Sequence, residues 1–244
     1  MSSGRWTTLA AAAVGLIVGA VAMAVWAPAR TGAGDTARIE AIVRNYVLEH
    51  PEILPEAMAR LEQRDTAKRL APERAALEKP FAGAWAGAAQ PDVTLVMFTD
   101  YSCGFCRASV PDVDRLLAED KRLRVVWREI PILGPQSEAA ARTALAAAGM
   151  GEGKYLAFHR TLFAGGTPGP DKLAAAATKV GLDPKALANA GKSAAVTEEI
   201  RANLQLVQTL GIGGTPAFIV GDQMLSGMVG YDTLKKAVAA ARKA

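Results

Sequence analysis

Two cysteines stand three positions apart in Asp100-Tyr101-Ser102-Cys103-Gly104-Phe105-Cys106-Arg107, and the 244-residue chain has no others. Three chemistries use such a pair. A zinc clip needs four ligands, of which C-x-x-C supplies two. The only histidines, His50 and His159, lie far apart, each in a helical pattern without a partner of its own. His50 reads as a polar residue at a helix end and His159 as an ordinary helix side chain, so no metal site is assigned. A structural disulfide closing so short a loop gains little beside the ~3 kcal/mol expected for a 15-residue loop. Thiol–disulfide exchange is the third use, and it needs one reactive thiol and one partner within disulfide reach.

The surrounding elements favour exchange. Val93 to Thr99 (VTLVMFT) is a short β-prone run suited to a buried strand, and a helix is predicted from about Cys103 to Asp120. Cys103 then falls at the helix start, where unpaired N–H groups and the macrodipole stabilise a thiolate. A dipole contribution of ~1–2 kcal/mol lowers a thiol pKa near 8.5 by about one unit. Cys103 is therefore the candidate nucleophile. Cys106, one turn further in and more buried, is the candidate resolving thiol. Gly104 lets the turn approach a substrate, and Phe105 adds apolar surface without charge. With no His or Arg between the cysteines, the centre should be a less extreme oxidant than C-P-H-C.

Leu123 to Ile130 (LRVVWREI) is predicted as a second strand, and strand–helix–strand implies a parallel pair with a right-handed crossover. Residues 136–210 are helical in pattern throughout, punctuated by Gly149, Gly151, Gly165-Gly166 and Gly181. Strand character returns at Ala217–Val220 and Gln223–Ser226 around the turn Gly221-Asp222, and a last helix runs from Tyr231 to Arg242. The fold class is thus α/β, a βαβ half and a ββα half separated by a helical insertion.

Half of the residues are apolar and 21% are charged, enough for a substantial core. The net charge of +4 is spread among interleaved acids and bases, so no nucleic-acid partner is expected. Residues 1–29 combine Arg5, the uncharged run Leu9 to Trp26 and the A-x-A site Ala27-Pro28-Ala29. They read as a cleaved signal peptide or a retained signal anchor, and either places the remainder in the periplasm or outside the cell. Residues 30–79 hold a linker and two helical stretches. Ile39, Ile42, Val43, Tyr46 and Val47 recur at helical spacing, His50-Pro51-Glu52 interrupts, and Ile53, Leu54, Ala57, Met58 and Leu61 follow. Charges dominate from there to Lys79 and read as a solvated face. A narrow apolar stripe outside the main domain, residues 80–244, predicts self-association into a homo-oligomer.

FTDYSCGFCR, the later GIGGTPAFIVGD and the helical block between them resemble the DsbA-like thiol–disulfide oxidoreductases over roughly residues 80–242. The resemblance implies a thioredoxin fold with an inserted helical domain. It also implies a cis peptide bond at Thr215-Pro216 facing the cysteine pair, with Gly104, Phe105 and Gly214 lining the substrate side. No organic cofactor is implied, since the Cys103–Cys106 pair is itself the redox group. The stretch IVRNYVLEHPEILPEAMARLE is similar to the leader segment of the ScsC (copper-sensitivity suppressor) branch. That segment joins subunits in some members, whose assemblies isomerise wrong disulfides. C-G-F-C with Thr before the proline also looks more like an isomerase centre than a strongly oxidising one. One departure stands out. The family's buried proton-relay acid six residues before the first cysteine is here Met97, so the relay is absent or another acid replaces it.

The expected activity is exchange on unfolded or misbridged exported proteins, with a membrane thiol reductase or oxidase resetting the pair. Whether it isomerises, reduces or oxidises is open. The alternative is a thiol protein binding Cu(I) for metal tolerance. Only Met224 and Met228 are placed to help in that role, and both read as core packing.

Overall fold

The computed structural model describes residues 33–243, so the export segment expected at 1–29 lies outside the described residues. The chain divides into two compact units, one ending at Ala59 and the other beginning at Arg60. Helix α1 (Ala33–Glu49) stops where His50-Pro51 interrupts, and α2 (Ile53–Leu70) follows. Ile39, Ile42, Val43, Tyr46, Leu48, Leu54 and Met58 are each more than half exposed. No helix among the described residues is long and apolar enough to cross a membrane.

In the second unit a 3-10 turn (Ala71–Glu73) and α3 (Arg74–Glu78) lead to the sheet. Strands β1 (Trp85–Gly87), β2 (Val93–Thr99) and β3 (Leu123–Glu129) precede β4 (Ala217–Val220) and β5 (Gln223–Ser226). Their order is β1-β3-β2-β4-β5. Strands β2 and β3 are parallel, joined by α4 (Gly104–Glu119), and the other pairs are antiparallel. A parallel pair is stable when both faces are covered, and every residue of β2 is buried.

One face carries Leu95, Met97, Val125 and Trp127 against α4 and α10 (Tyr231–Ala241). Helices α5 (Pro135–Ala148), α6 (Lys154–Ala164), α7 (Pro170–Lys179) and α8 (Pro184–Ala190) continue that core through small residues such as Ala140, Ala144 and Ala177. The opposite face carries Val96, Phe98, Val126 and Ile219 against Leu206 and Leu210 of α9 (Ala194–Leu210).

Two expectations differ from the structure. β1 lies ahead of Val93, where the sequence reading placed no strand, and three residues carry no periodicity that would mark it. Its last residue, Gly87, adopts φ +100°, and a Cβ there would lie 2.2 Å from the Leu123 carbonyl oxygen, so only glycine closes this edge. The other difference is the boundary drawn at residue 79. Leu70 and Leu77 are fully buried in the second core layer, Arg69 donates to the Leu210 carbonyl at 3.1 Å, and Arg74 to the Gly221 carbonyl at 3.1 Å. The charged stretch before Lys79 is therefore part of the second unit and not only a solvated face.

Candidate active site

Cys103 is the N-cap of α4 in extended conformation, and its sulfur accepts from the Cys106 amide at 3.4 Å. Sγ also lies 3.3 Å from the Thr215 carbonyl oxygen, to which the thiol donates. The Thr215–Pro216 peptide is cis. The residues on which the sequence reading converged thus meet at one place, although 112 positions separate Cys103 from Thr215. Burial pushes the Cys103 thiol up. Hydrogen bonds from the Thr215 side chain and from the amides of Cys106 and Phe105 outweigh it, so the thiol is held below its ordinary value. Cys106 is fully enclosed, and burial pushes it up to about 12. Helix start and helix interior give the two thiols opposite character.

Cys103 itself is buried, but the side chain beside it is not. Phe105 is 65% exposed, and a Cβ on Gly104 or Gly214 would meet nothing within 4 Å, so the fold itself does not demand glycine there. Asp100 is buried as a turn carboxylate. Oδ1 accepts from the Ser102 amide at 2.8 Å, and Oδ2 from Ile132 and Leu133 at 2.9 and 3.0 Å. One carboxylate thus ties the cysteine turn to the loop after β3, whose Ile132 and Leu133 side chains are exposed. On the other flank the Gly227 amide donates to the Pro216 carbonyl at 2.8 Å, beside exposed Met228. Met224 packs against the second core layer as its sequence reading held, but Met228 is half exposed and is not core.

Beneath the turn lies a polar cluster that no local pattern announces. The Tyr155 hydroxyl donates to Glu129 Oε1 at 2.5 Å, and Tyr101 Oη lies 2.9 Å from His159 Nδ1. His159 is enclosed by the rings of Tyr101, Trp127, Tyr155 and Phe163. Burial pushes His159 down to about 3, with the nearby Arg160 charge adding to it, so it is neutral at physiological pH. Glu129 is fully buried, which raises its carboxyl to about 8. Met97 is buried on β2 as the sequence order requires and offers no proton. His50, by contrast, is exposed beside Glu52 at 3.3 Å, the helix-end residue that its context describes.

A thioredoxin-type sheet, a thiol capping the first helix and a cis-proline loop opposite it define a thiol–disulfide oxidoreductase. The family described as "DSBA-like thioredoxin domain" matches residues 94–239, more than half of the chain, and the protein belongs to that family. The "Copper resistance protein ScsC N-terminal domain" matches residues 35–68. Among solved structures, a thioredoxin-like oxidoreductase from Silicibacter pomeroyi is 40% identical, covering 69% of this chain and 96% of its own, with a TM-score of 0.65. The thiol-disulfide exchange protein alpha-DsbA2 from Wolbachia pipientis is 27% identical over 74% of this chain and 97% of its own, with a TM-score of 0.69. Proteus mirabilis ScsC in a transitional conformation is 28% identical over 87% of this chain and 99% of its own, with a TM-score of 0.65. Two curated relatives, named Na(+)/H(+) antiporter NhaA 1 of Salinispora arenicola and NhaA 3 of Salinispora tropica, are 28% identical over 162 residues. The chain spans 24% of the length of either.

Proposed function

We propose that this oxidoreductase works outside the cytoplasm as a disulfide isomerase, exchanging wrong disulfides in exported proteins. The carrying observation is the opposition of the two thiols. Cys103 is held low at the helix start and is the nucleophile, while the enclosed Cys106 is the resolving thiol. Thr215 and cis Pro216 present backbone beside Cys103, and Gly104, Phe105 and Gly214 form the face against which a substrate chain lies. The Cys103–Cys106 pair is itself the redox group, and a membrane thiol reductase that returns it to the dithiol completes the cycle.

Isomerisation rather than net oxidation is favoured by two observations. Neither residue between the cysteines adds a charge that would stabilise the thiolate strongly. The segment matching the ScsC N-terminal domain also carries an exposed apolar stripe suited to joining subunits. Several sites held in one assembly raise the chance that a released disulfide is met again. The apolar run at 9–26 supports export, either cleaved or as an anchor.

The test uses the purified full chain, kept reduced, with a substrate bearing scrambled disulfides, beside a reduced substrate with the chain kept oxidised. Recovery of native substrate should dominate and vanish in Cys103→Ser. Faster net oxidation than reshuffling would make it a DsbA-type oxidase. Inactivity in both assays with tight stoichiometric Cu(I) binding would replace the enzyme by a metal-tolerance protein.

A further inference from the structure

Cys106 must lose a proton each time it resolves a mixed disulfide and regain one each time the pair is reduced, yet it has no contact with solvent. Met97 cannot serve. Asp100 is nearby, but its two oxygens are occupied by three backbone amides. The register of the parallel strands supplies another route. Thr99 and Glu129 are paired residues of β2 and β3, so their side chains share a face of the sheet, the one covered by α4 and α6. The Thr99 side chain acts against burial at Cys106, lowering its thiol. Among the described residues, Thr99 Oγ1 and Glu129 Oε2 are both buried without a hydrogen-bond partner. Buried polar atoms are nearly always satisfied, and two orphans at one register position beside a thiol that must exchange a proton are unusual.

We propose that Glu129 is the proton store for Cys106, acting through the Thr99 hydroxyl in place of an acid at position 97. This rests on the exchange reading above and makes Glu129 a positioning residue for the proton. In resolution, the Cys106 S–H bond breaks and its proton passes to Thr99 Oγ1 as the Thr99 proton passes to the Glu129 carboxylate. Cys106 Sγ bonds to Cys103 Sγ, and the bond from Cys103 to the substrate sulfur breaks. Over attack and resolution together the cysteine pair loses two electrons and the substrate disulfide gains them, its second sulfur leaving as thiolate. On reduction the proton returns from the Glu129 carboxyl to the departing Cys106 thiolate.

The surroundings fit a group that changes charge near neutrality. Burial sets Glu129 at about 8, Tyr155 and Tyr101 lower it by hydrogen bonding, and the Asp100 charge raises it. From α6 the remaining titratable neighbour is neutral His159, and Asn203 of α9 donates only to the Glu129 backbone carbonyl at 3.2 Å.

The experiment follows the mixed disulfide between Cys103 and glutathione in the full chain. Resolution by Cys106 is timed across pH in wild type, Glu129→Gln and Thr99→Val, and attack by Cys103 is timed separately in a Cys106→Ala background. In both variants resolution should slow at least about tenfold at neutral pH and lose the pH dependence of the buried acid. Attack by Cys103 should be unchanged. Resolution with the wild-type rate and pH profile in either variant overturns the assignment. Should Glu129→Gln not fold, infrared difference spectra of the oxidised and reduced wild type decide. A buried carboxyl band that changes between the two states is expected, and its absence overturns the assignment. Failure of Cys103 to attack glutathione disulfide in wild type would instead defeat the exchange reading, and this assignment with it.

Discussion

At Cys103 the balance between burial and hydrogen bonding sets both reactivity and its pH range. Because the folded value lies below the ordinary one, the Cys103 thiolate extends to lower pH than that of an ordinary thiol and is lost as pH falls through that lower value. Alkylation of Cys103 in Cys106→Ala should therefore level off at a lower pH than alkylation of the same protein unfolded in denaturant. A folded Cys106→Ala protein whose rate levels off at the same pH as the unfolded one, or higher, would contradict the geometry. The same protein should accumulate mixed disulfides with substrate, since the attacking sulfur is intact and the resolving one is gone. The placement of these two thiols at a helix start and one turn inside it could be read from sequence, because a helix start is a local feature. The meeting of Glu129 with Thr99 was not readable, since it depends on strand register. His159 was equally silent, because only the fold surrounds it with four aromatic rings.

At the scale of elements, β3 positions more than its sequence displays. Its final residues Arg128 and Glu129 look like the polar end of a strand, but both are buried. The Arg128 guanidinium donates to the carbonyls of Ala76, Leu77 and Lys79, to Asn203 Oδ1 at 3.2 Å and to Glu199 at 2.8 Å. Arg128→Met removes five acceptors' donor and leaves Glu199 uncompensated, so a loss of about 3 kcal/mol in unfolding free energy is expected by denaturant titration. A change below about 0.5 kcal/mol would show that these contacts are incidental. Most helices were legible because apolar spacing and glycine punctuation agreed. Leu70 and Leu77 were hidden because the charges around them are denser than the apolar pattern, and β1 because antiparallel pairing with β3, not composition, makes it a strand.

For the whole molecule, the exposed stripe from Ile39 to Met58 is the surface proposed to join subunits. If it joins copies of this chain, Ile42→Asp with Tyr46→Asp should convert an oligomer to a monomer by sedimentation. Isomerisation should then fall severalfold, while oxidation of a small dithiol peptide, which needs one site only, stays unchanged. A wild-type monomer would remove the assembly from the account. Arg128 carries a last implication, for where the catalytic unit can be cut. A chain starting at Pro80 would leave a buried cation facing three vanished carbonyls and empty the seats of Leu70 and Leu77. The smallest autonomous catalytic body is therefore expected to begin near Arg60, where Arg69, Leu70 and Leu77 are all retained.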